Sequence, residues 1–281
     1  KVNLSAMNVT ICFIGAGNMA QSLIGGLIAS GYDKNHIIAT DPTDEQRANI
    51  TQNYGIECLA DNNEAIAKSD IVVLAVKPQI LESVCQSIED SVQNKRPLII
   101  SVAAGIRSND INRWLGEQIA IVRTMPNTPA LIQTGATGLF ANSFVSDDLK
   151  SQAEHIMRAA GITVWVDEET KLDAVTALSG SGPAYYFLFM EAMEKTAQQL
   201  GLDEKTAHLL ALQTALGSAK MALESHLDCA TLRKNVTSPN GTTERAIQSF
   251  ENAGLRDIVE NAMKAAQTRA VELADELGGK A

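Results

Sequence analysis

Through the first half of the chain, short apolar runs alternate with amphipathic stretches. Val9-Thr10-Ile11-Cys12-Phe13-Ile14 is a β-rich run, and Met19, Leu23, Ile24, Leu27 and Ile28 then share one helical face. The pattern predicts strand, glycine turn and helix, with Gly31 stopping the helix. His36–Thr40 reads as a second strand, ended by Asp41-Pro42-Thr43, and Asp44–Tyr54 as a helix closed by Gly55. A short strand near Ile56–Leu59 and a helix over Asn62–Lys68 follow. Ile71–Val76 is apolar without interruption, as a parallel strand buried on both faces should be. It runs through Lys77-Pro78-Gln79 into a helix over Ile80–Asp90. Pro97–Val102 and Ile119–Arg123 repeat the theme, ending in Ala103-Ala104-Gly105 and Thr124-Met125-Pro126-Asn127-Thr128-Pro129. Strands over Thr137–Phe140 and Ile162–Val166 flank one more helix and finish the sheet. This alternation predicts an N-terminal, Rossmann-like doubly wound α/β domain.

From about Thr170 the texture changes. Strand-like runs vanish, and long helices are predicted over Ala184–Leu200, Glu204–Glu224 and Arg256–Leu277. The reading is an α/β domain over residues 1–168 and an all-α domain over 169–281, with the boundary near Asp167–Asp173. Tyr185, Phe187, Leu188, Phe189 and Met193 place apolar groups on more than one helical face. Such a helix must be buried, and a domain this small has little interior. An obligate dimer through this half is the economical expectation; a compact monomeric helical domain is the alternative.

Charge narrows the partners. A formal net charge of −10 over 281 residues argues against nucleic acid, whose phosphates need a basic face. An anionic ligand must then be held by local devices such as helix N-termini and single lysines. Four scattered cysteines (Cys12, Cys58, Cys85, Cys229) contain no CxxC pair and suggest neither a disulfide framework nor a metal site. Buried, reduced thiols in a cytoplasmic protein are expected. No apolar run reaches membrane-spanning length, and no charged-then-apolar leader is present, so no membrane role is read. Lys1–Ala6 precede the first methionine, Met7, and read as a short tail or added sequence.

The chemistry is expected at strand ends. Gly15-Ala16-Gly17-Asn18-Met19-Ala20 is Gly-x-Gly-x-x-Ala between a strand and a helix, the context of a dinucleotide fingerprint. Gly15 permits the turn, Gly17 admits a pyrophosphate, Ala20 lets the helix pack, and the helix N-terminus holds phosphate. Glycine turns also serve packing alone. Ligands of open α/β sheets lie beyond the carboxyl ends of the strands, which singles out Asp41, Lys77-Pro78, Ala103-Ala104 and Met125-Pro126-Asn127. Lys77 suits a ribose or phosphate, or is simply a solvated loop lysine. Asp41 lies near where an acid takes the adenosine ribose hydroxyl of NAD. A carboxylate about 4 Å from a 2′-phosphate costs up to roughly 4 kcal/mol per unit charge at an effective dielectric near 20. With Pro42 and Thr43 where an arginine would naturally follow, these residues lean toward NADH. In the helical half, Leu178–Tyr185 packs small residues before a helix, which a close helix contact also explains. Asn235–Thr243 gathers hydroxyls and N–H groups ahead of a helix over Glu244–Phe250, which suits a carboxylate or a simple cap.

Taken together, Ile14–Met19, Ala75-Val76-Lys77-Pro78, Arg123–Pro129, Leu178–Tyr185 and Ser238–Thr243 resemble the pyrroline-5-carboxylate reductase family, in order and over nearly the whole chain. The resemblance implies reduction of 1-pyrroline-5-carboxylate to L-proline by NAD(P)H, the last step of proline biosynthesis. It implies a dimer interlocked through the helical domains, sometimes assembled further into decamers. Carried over position by position, the nucleotide meets Ile14, Gly15, Ala16, Gly17, Asn18, Met19, Thr40, Asp41, Asn62, Val76, Lys77, Pro78, Ala103 and Asn235. The substrate carboxylate sits at Ser238, Gly241, Thr242 and Thr243, with the catalytic Thr243 bonding near the ring nitrogen.

Two departures matter. The family commonly reads Ser-Pro-Gly-Gly where this chain has Asn240 for the first glycine. Asparagine tolerates a left-handed backbone better than most residues, so the loop shape is expected to survive. Relatives that prefer NADPH, which the resemblance otherwise implies, often carry Ser, Thr or Asn in place of Asp41.

The implied mechanism delivers hydride to C5 of a protonated cyclic imine in a dry slot between the domains. A basic imine nitrogen needs no strong enzymic acid, in keeping with a substrate motif lacking His and Lys. Catalysis is then expected from positioning and water exclusion. Two other readings stand beside this one. A β-hydroxyacid dehydrogenase wants a lysine base on the helix after Ser179–Pro183, where the first lysine is Lys195. A regulator that senses NAD(P)H binds it without turnover.

Overall fold

The computed structural model describes residues 9–279, so the expectation for Lys1–Ala6 falls outside the described residues. The chain forms two compact units. One runs through Ser181 and resumes at Ala266; the other is Gly182–Ala265.

The first unit is built in order from β1 (Ile11–Ile14), α1 (Asn18–Ala29), β2 (Ile37–Thr40), α2 (Asp44–Tyr54), β3 (Glu57–Leu59), α3 (Asn62–Ala67), β4 (Ile71–Leu74) and α4 (Pro78–Lys95). It continues with β5 (Leu98–Ser101), α5 (Ser108–Trp114), β6 (Ile121–Met125), β7 (Gly135–Ala141), α6 (Asp147–Arg158), β8 (Gly161–Trp165) and α7 (Lys171–Val175). The eight strands lie in the order β3-β2-β1-β4-β5-β6-β7-β8. The first six are mutually parallel; β7 runs antiparallel to β6, and β8 follows β7 in parallel.

Alternate residues of each strand face opposite sides of a sheet. Ile11 and Phe13 accordingly pack with Leu23, Ile24 and Leu27 of α1 on one face. Cys12 and Ile14 pack with Leu81, Cys85 and Ile88 of α4 on the other. Helices on both sides leave no polar face, so β1, β2, β4 and β5 are buried at every position.

The second unit holds α8 (Gly182–Gln199), α9 (Glu204–Glu224), α10 (Cys229–Asn235) and α11 (Thr242–Asn252), and α12 (Leu255–Gly278) begins in it. Asp203 caps α9 by accepting from Thr206 N at 3.0 Å, and Asp228 caps α10 by accepting from Thr231 N at 2.7 Å. Phe189 and Phe250 meet with ring centroids 6.0 Å apart. Little else is enclosed: Gly182 is the buried residue of α8, and α9 buries Ala207 and Ala211.

Several boundaries depart from the reading of the sequence. β4 ends at Leu74, because Ala75 and Val76 already belong to the turn that leads into Pro78. α4 starts at Pro78, whose missing N–H costs nothing in a first turn, and continues to Lys95. β6 is displaced toward its carboxyl end, because Thr124 and Met125 pair with Leu139 and Gly138 of β7, while Ile119 N is held by Asn112 Oδ1 at 3.1 Å. α5 and α10 had no counterpart in that reading. By packing, the compact units divide after Ser181, since α7 lies against β7 and β6. Of the cysteines expected to be buried, Cys12 and Cys85 are; Cys58 is half-buried and Cys229 exposed.

Candidate active site

The register Ile14↔Thr40, Ile14↔Leu74 and Leu74↔Ser101 aligns the carboxyl ends of β2, β1, β4 and β5. The segments leaving these ends carry Gly15–Met19, Asp41, Val76–Pro78 and Ala103, so the sheet gathers those predicted positions along one edge. Strand order reverses between β1 and β4, and ligands of open α/β sheets bind at such a switch point.

At this edge the glycine turn has room for a phosphate. Gly15 has φ +93°, and a Cβ there would lie 2.7 Å from the Ala75 carbonyl oxygen, which excludes any side chain. A Cβ on Gly17 would meet nothing within 4 Å, so the space before it is open. Gly17 is the N-cap of α1 and supplies no side-chain cap, leaving the first N–H groups of a twelve-residue helix uncapped by its own side chain. Ala20 is fully buried, as close packing of α1 on the sheet requires. An open space in front of uncapped N–H donors fits the pyrophosphate of a dinucleotide.

The second strand end is equally ordered. Thr40 is buried and donates its hydroxyl to Asn62 Oδ1 at 2.6 Å, which joins β2 to the first residue of α3. Asp41 N donates to Leu59 O at 3.1 Å. The Asp41 carboxylate folds into the following turn, where Oδ1 accepts from Thr43 N at 2.9 Å and Thr43 Oγ1 at 2.8 Å. Beneath this turn the half-buried Cys58 thiol is pushed up to about 11, first by burial and then by Asp41, with Arg47 opposing. Lys77 is the exposed N-cap of α4 and makes no ion pair among the described residues.

Further along the edge, Ala103 is buried and its N–H donates to Ser101 Oγ at 3.3 Å. Asn127 is occupied structurally rather than left open. Its Oδ1 accepts from Ala136 N at 2.9 Å and its Nδ2 donates to Ser179 O at 3.0 Å. It thereby fastens the segment after β6 to the π-helical turn Thr176–Gly180 that follows α7.

The remaining predicted positions belong to the second unit. Asn235 ends α10. In the loop beyond it, Gly241 N donates to Ser238 O at 3.0 Å, and Asn240 N donates to Glu244 Oε2 at 2.7 Å. Asn240 has φ +59°, the left-handed conformation expected of it. Gly241 is the N-cap of α11 without a side-chain cap, and Thr242 and Thr243 open the helix. Ser238, Thr242 and Thr243 are exposed in the single chain. α1 and α11 thus each begin at a glycine cap.

One charged side chain at this strand-end edge escaped the sequence reading. Arg47, on the second turn of α2, reaches back to Asp41, donating from Nη1 to the Asp41 carbonyl oxygen at 2.7 Å. Its signal was helical periodicity: three residues after Asp44 is the same face of the helix as the turn.

Known proteins share the sequence and the fold. A family model described as "Pyrroline-5-carboxylate reductase dimerisation" matches residues 169–273, and one described as "NADP oxidoreductase coenzyme F420-dependent" matches 10–105. Pyrroline-5-carboxylate reductase of Pseudomonas aeruginosa is 52% identical over 268 residues, which cover 95% of this chain and 98% of that protein. The chain belongs to the pyrroline-5-carboxylate reductase family. The family member of Vibrio alginolyticus is 42% identical over 94% of this chain and 97% of its own length. Among solved structures, the Coxiella burnetii pyrroline-5-carboxylate reductase superposes with a TM-score of 0.92 at 46% identity, covering 95% of this chain and 99% of that one. The Plasmodium falciparum pyrroline carboxylate reductase, solved with NADP bound, gives 0.83 at 29% identity, covering 95% and 98%. The helical unit therefore lies within the dimerisation region of its family.

Proposed function

We propose that this chain reduces 1-pyrroline-5-carboxylate to L-proline with NAD(P)H, the last step of proline biosynthesis. Family membership across 95% of its length carries the reading. The two glycine-capped helix N-termini suit its two anionic ligands, and NADP is bound in the Plasmodium relative.

In this reading Ile14–Met19, Thr40, Asp41, Asn62, Val76–Pro78, Ala103 and Asn235 hold the dinucleotide. When bound, the nicotinamide supplies the hydride for C5 of the cyclic imine. The N–H groups at the start of α11, with Ser238, Gly241 and Thr242, fix the substrate carboxylate. Thr243 Oγ1 orients the ring nitrogen or relays a proton there. That loop holds neither His nor Lys, and a basic imine nitrogen arrives protonated without them. Closure of the exposed loop by a second copy would exclude water, so the working form is at least a dimer, with further assembly to a decamer part of the same reading. Free cysteines Cys12, Cys58, Cys85 and Cys229 suit a reducing, cytoplasmic location.

Lys195, the lysine a hydroxyacid base would require, is exposed and paired with Glu191 on its own helix. Loss of absorbance at about 340 nm with pyrroline-5-carboxylate, and none with β-hydroxyacids, is the expected result with reduced nicotinamide. Binding without turnover would instead make the chain a sensor. Thr243→Ala is expected to lower kcat about tenfold, the worth of a hydrogen bond to a charged group. Unchanged kcat and KM would remove the hydroxyl from the mechanism.

A further inference from the structure

The turn after β2 holds two opposite charges in a fixed relation. Asp41 is locked by Thr43 into the turn and offers its carboxylate where an adenosine ribose is expected. Alone, such a carboxylate repels a 2′-phosphate. Arg47, however, is anchored to the same residue through the carbonyl oxygen of Asp41 and is only one-fifth exposed. Its second terminal nitrogen, Nη2, is paired with Asp44, whose side chain is almost fully solvated. Exposed pairs of this kind add little stability, so Nη2 can exchange the Asp44 carboxylate for another anion at small cost. A guanidinium fork held at its inner nitrogen and loosely paired at its outer one is prepared for a phosphate. Thr40, Asn62 and the Asp41–Leu59 backbone bond hold the surroundings rigid.

We propose that Arg47 is the specificity-determining residue through which this chain accepts a 2′-phosphorylated adenosine ribose, against the bias that Asp41 sets toward the free 2′-hydroxyl. The inference rests on the reading that a dinucleotide lies across these strand ends. It assigns dual cofactor use to one cation and one carboxylate six residues apart.

Isothermal titration separates the two charges without turnover, using adenosine 2′,5′-bisphosphate and adenosine 5′-monophosphate as probes. Arg47→Gln is expected to weaken the bisphosphate about tenfold while leaving the monophosphate unchanged. Arg47→Lys keeps the charge and restores most of that loss. Asp41→Asn tightens the bisphosphate. The ratio of kcat/KM for NADPH to that for NADH follows the same order across the variants. An Arg47→Gln chain that loses both probes equally, or neither, overturns the proposal. A wild-type chain that binds both probes but does not reduce pyrroline-5-carboxylate defeats the functional reading and leaves the Arg47 comparison standing; one that binds neither defeats both.

Discussion

The two compact units solve the burial problem in opposite ways. In the α/β unit the apolar residues of each central strand are covered by helices of the same chain, and Phe13, Ile14, Leu23 and Leu74 are sealed. In the helical unit the large apolar residues lie at the surface: Phe187 is 64% and Leu188 67% exposed, and Leu209, Leu216 and Met221 are similar. Isolated exposed leucines need no explanation, but a run of them along two consecutive helices marks an interaction surface. The first unit closes its core alone. The second leaves large apolar residues exposed in the single chain, within a region matched as the family's dimerisation segment. Stability should therefore depend on protein concentration through one half of the chain and not through the other.

The largest effect tests the closed half. Phe13 is fully buried between β1 and the helices on its face. Phe13→Ala is expected to cost about 3–5 kcal/mol, from lost transfer energy and the cavity left behind. Chemical denaturation should show the same loss at low and high protein concentration. A loss that shrinks as protein is concentrated would mean that the α/β core, too, is completed by assembly.

A smaller effect with the opposite signature is expected on α8. Phe187→Ala removes a side chain worth about 1.5–3 kcal/mol once buried, and in the single chain it is mostly exposed. The dimer should dissociate at roughly tenfold to hundredfold higher concentration, read by sedimentation equilibrium. The melting temperature should fall only where that dissociation is populated. If Phe187→Ala leaves the association constant unchanged, this face of α8 is not the covered one.

The same contrast explains what the sequence made legible. Strands buried on both faces write themselves as unbroken apolar runs, so β1, β2, β4 and β5 stood out. Helices with local punctuation were read nearly to the residue: Gly55, at φ +65°, closes α2, and Asp203 opens α9. α5 could not be read, because its cap comes from far along the chain. Ser108 N and Oγ donate to the two carboxylate oxygens of Glu169 at 2.6 and 2.7 Å, and no neighbouring residue records that bond. α10 was readable and missed, for Asp228 carries an ordinary capping signal. At the strand ends, the reading singled out Asp41 and looked only to Pro42 and Thr43 for a neighbouring arginine. A helix brings the residue three positions on back to its own first turn, and there Arg47 stands.

The smallest effect lies where the chain returns to the closed unit through the last turns of α12. Arg113 Nη2 donates to Gly278 O at 2.7 Å and to Asp110 Oδ1 at 3.0 Å, while Arg107 pairs with Asp275 at 2.5 Å. A Cβ on Gly278 would collide with the Asp110 carboxylate, so the helix end sits directly on it. Asp110 Oδ2 is buried without a hydrogen-bond partner. Burial pushes the Asp110 carboxyl up, with Arg113 and Arg107 pulling the other way. A carboxyl raised in the folded state holds its proton more tightly there than in the unfolded chain. Its contribution to stability is therefore full below the unfolded value near 3.9 and is lost as pH rises through the folded one. Asp110→Asn removes that loss, so the variant should be more stable at pH 7, by less than about 1 kcal/mol because Arg113 and Arg107 offset part of the burial. The gain should close as pH falls toward 4, measured by denaturant unfolding at both values. A variant less stable at pH 7 would show that the Arg113 pair outweighs the burial of the carboxylate, and that the closed unit's last seam is held by charge rather than by packing.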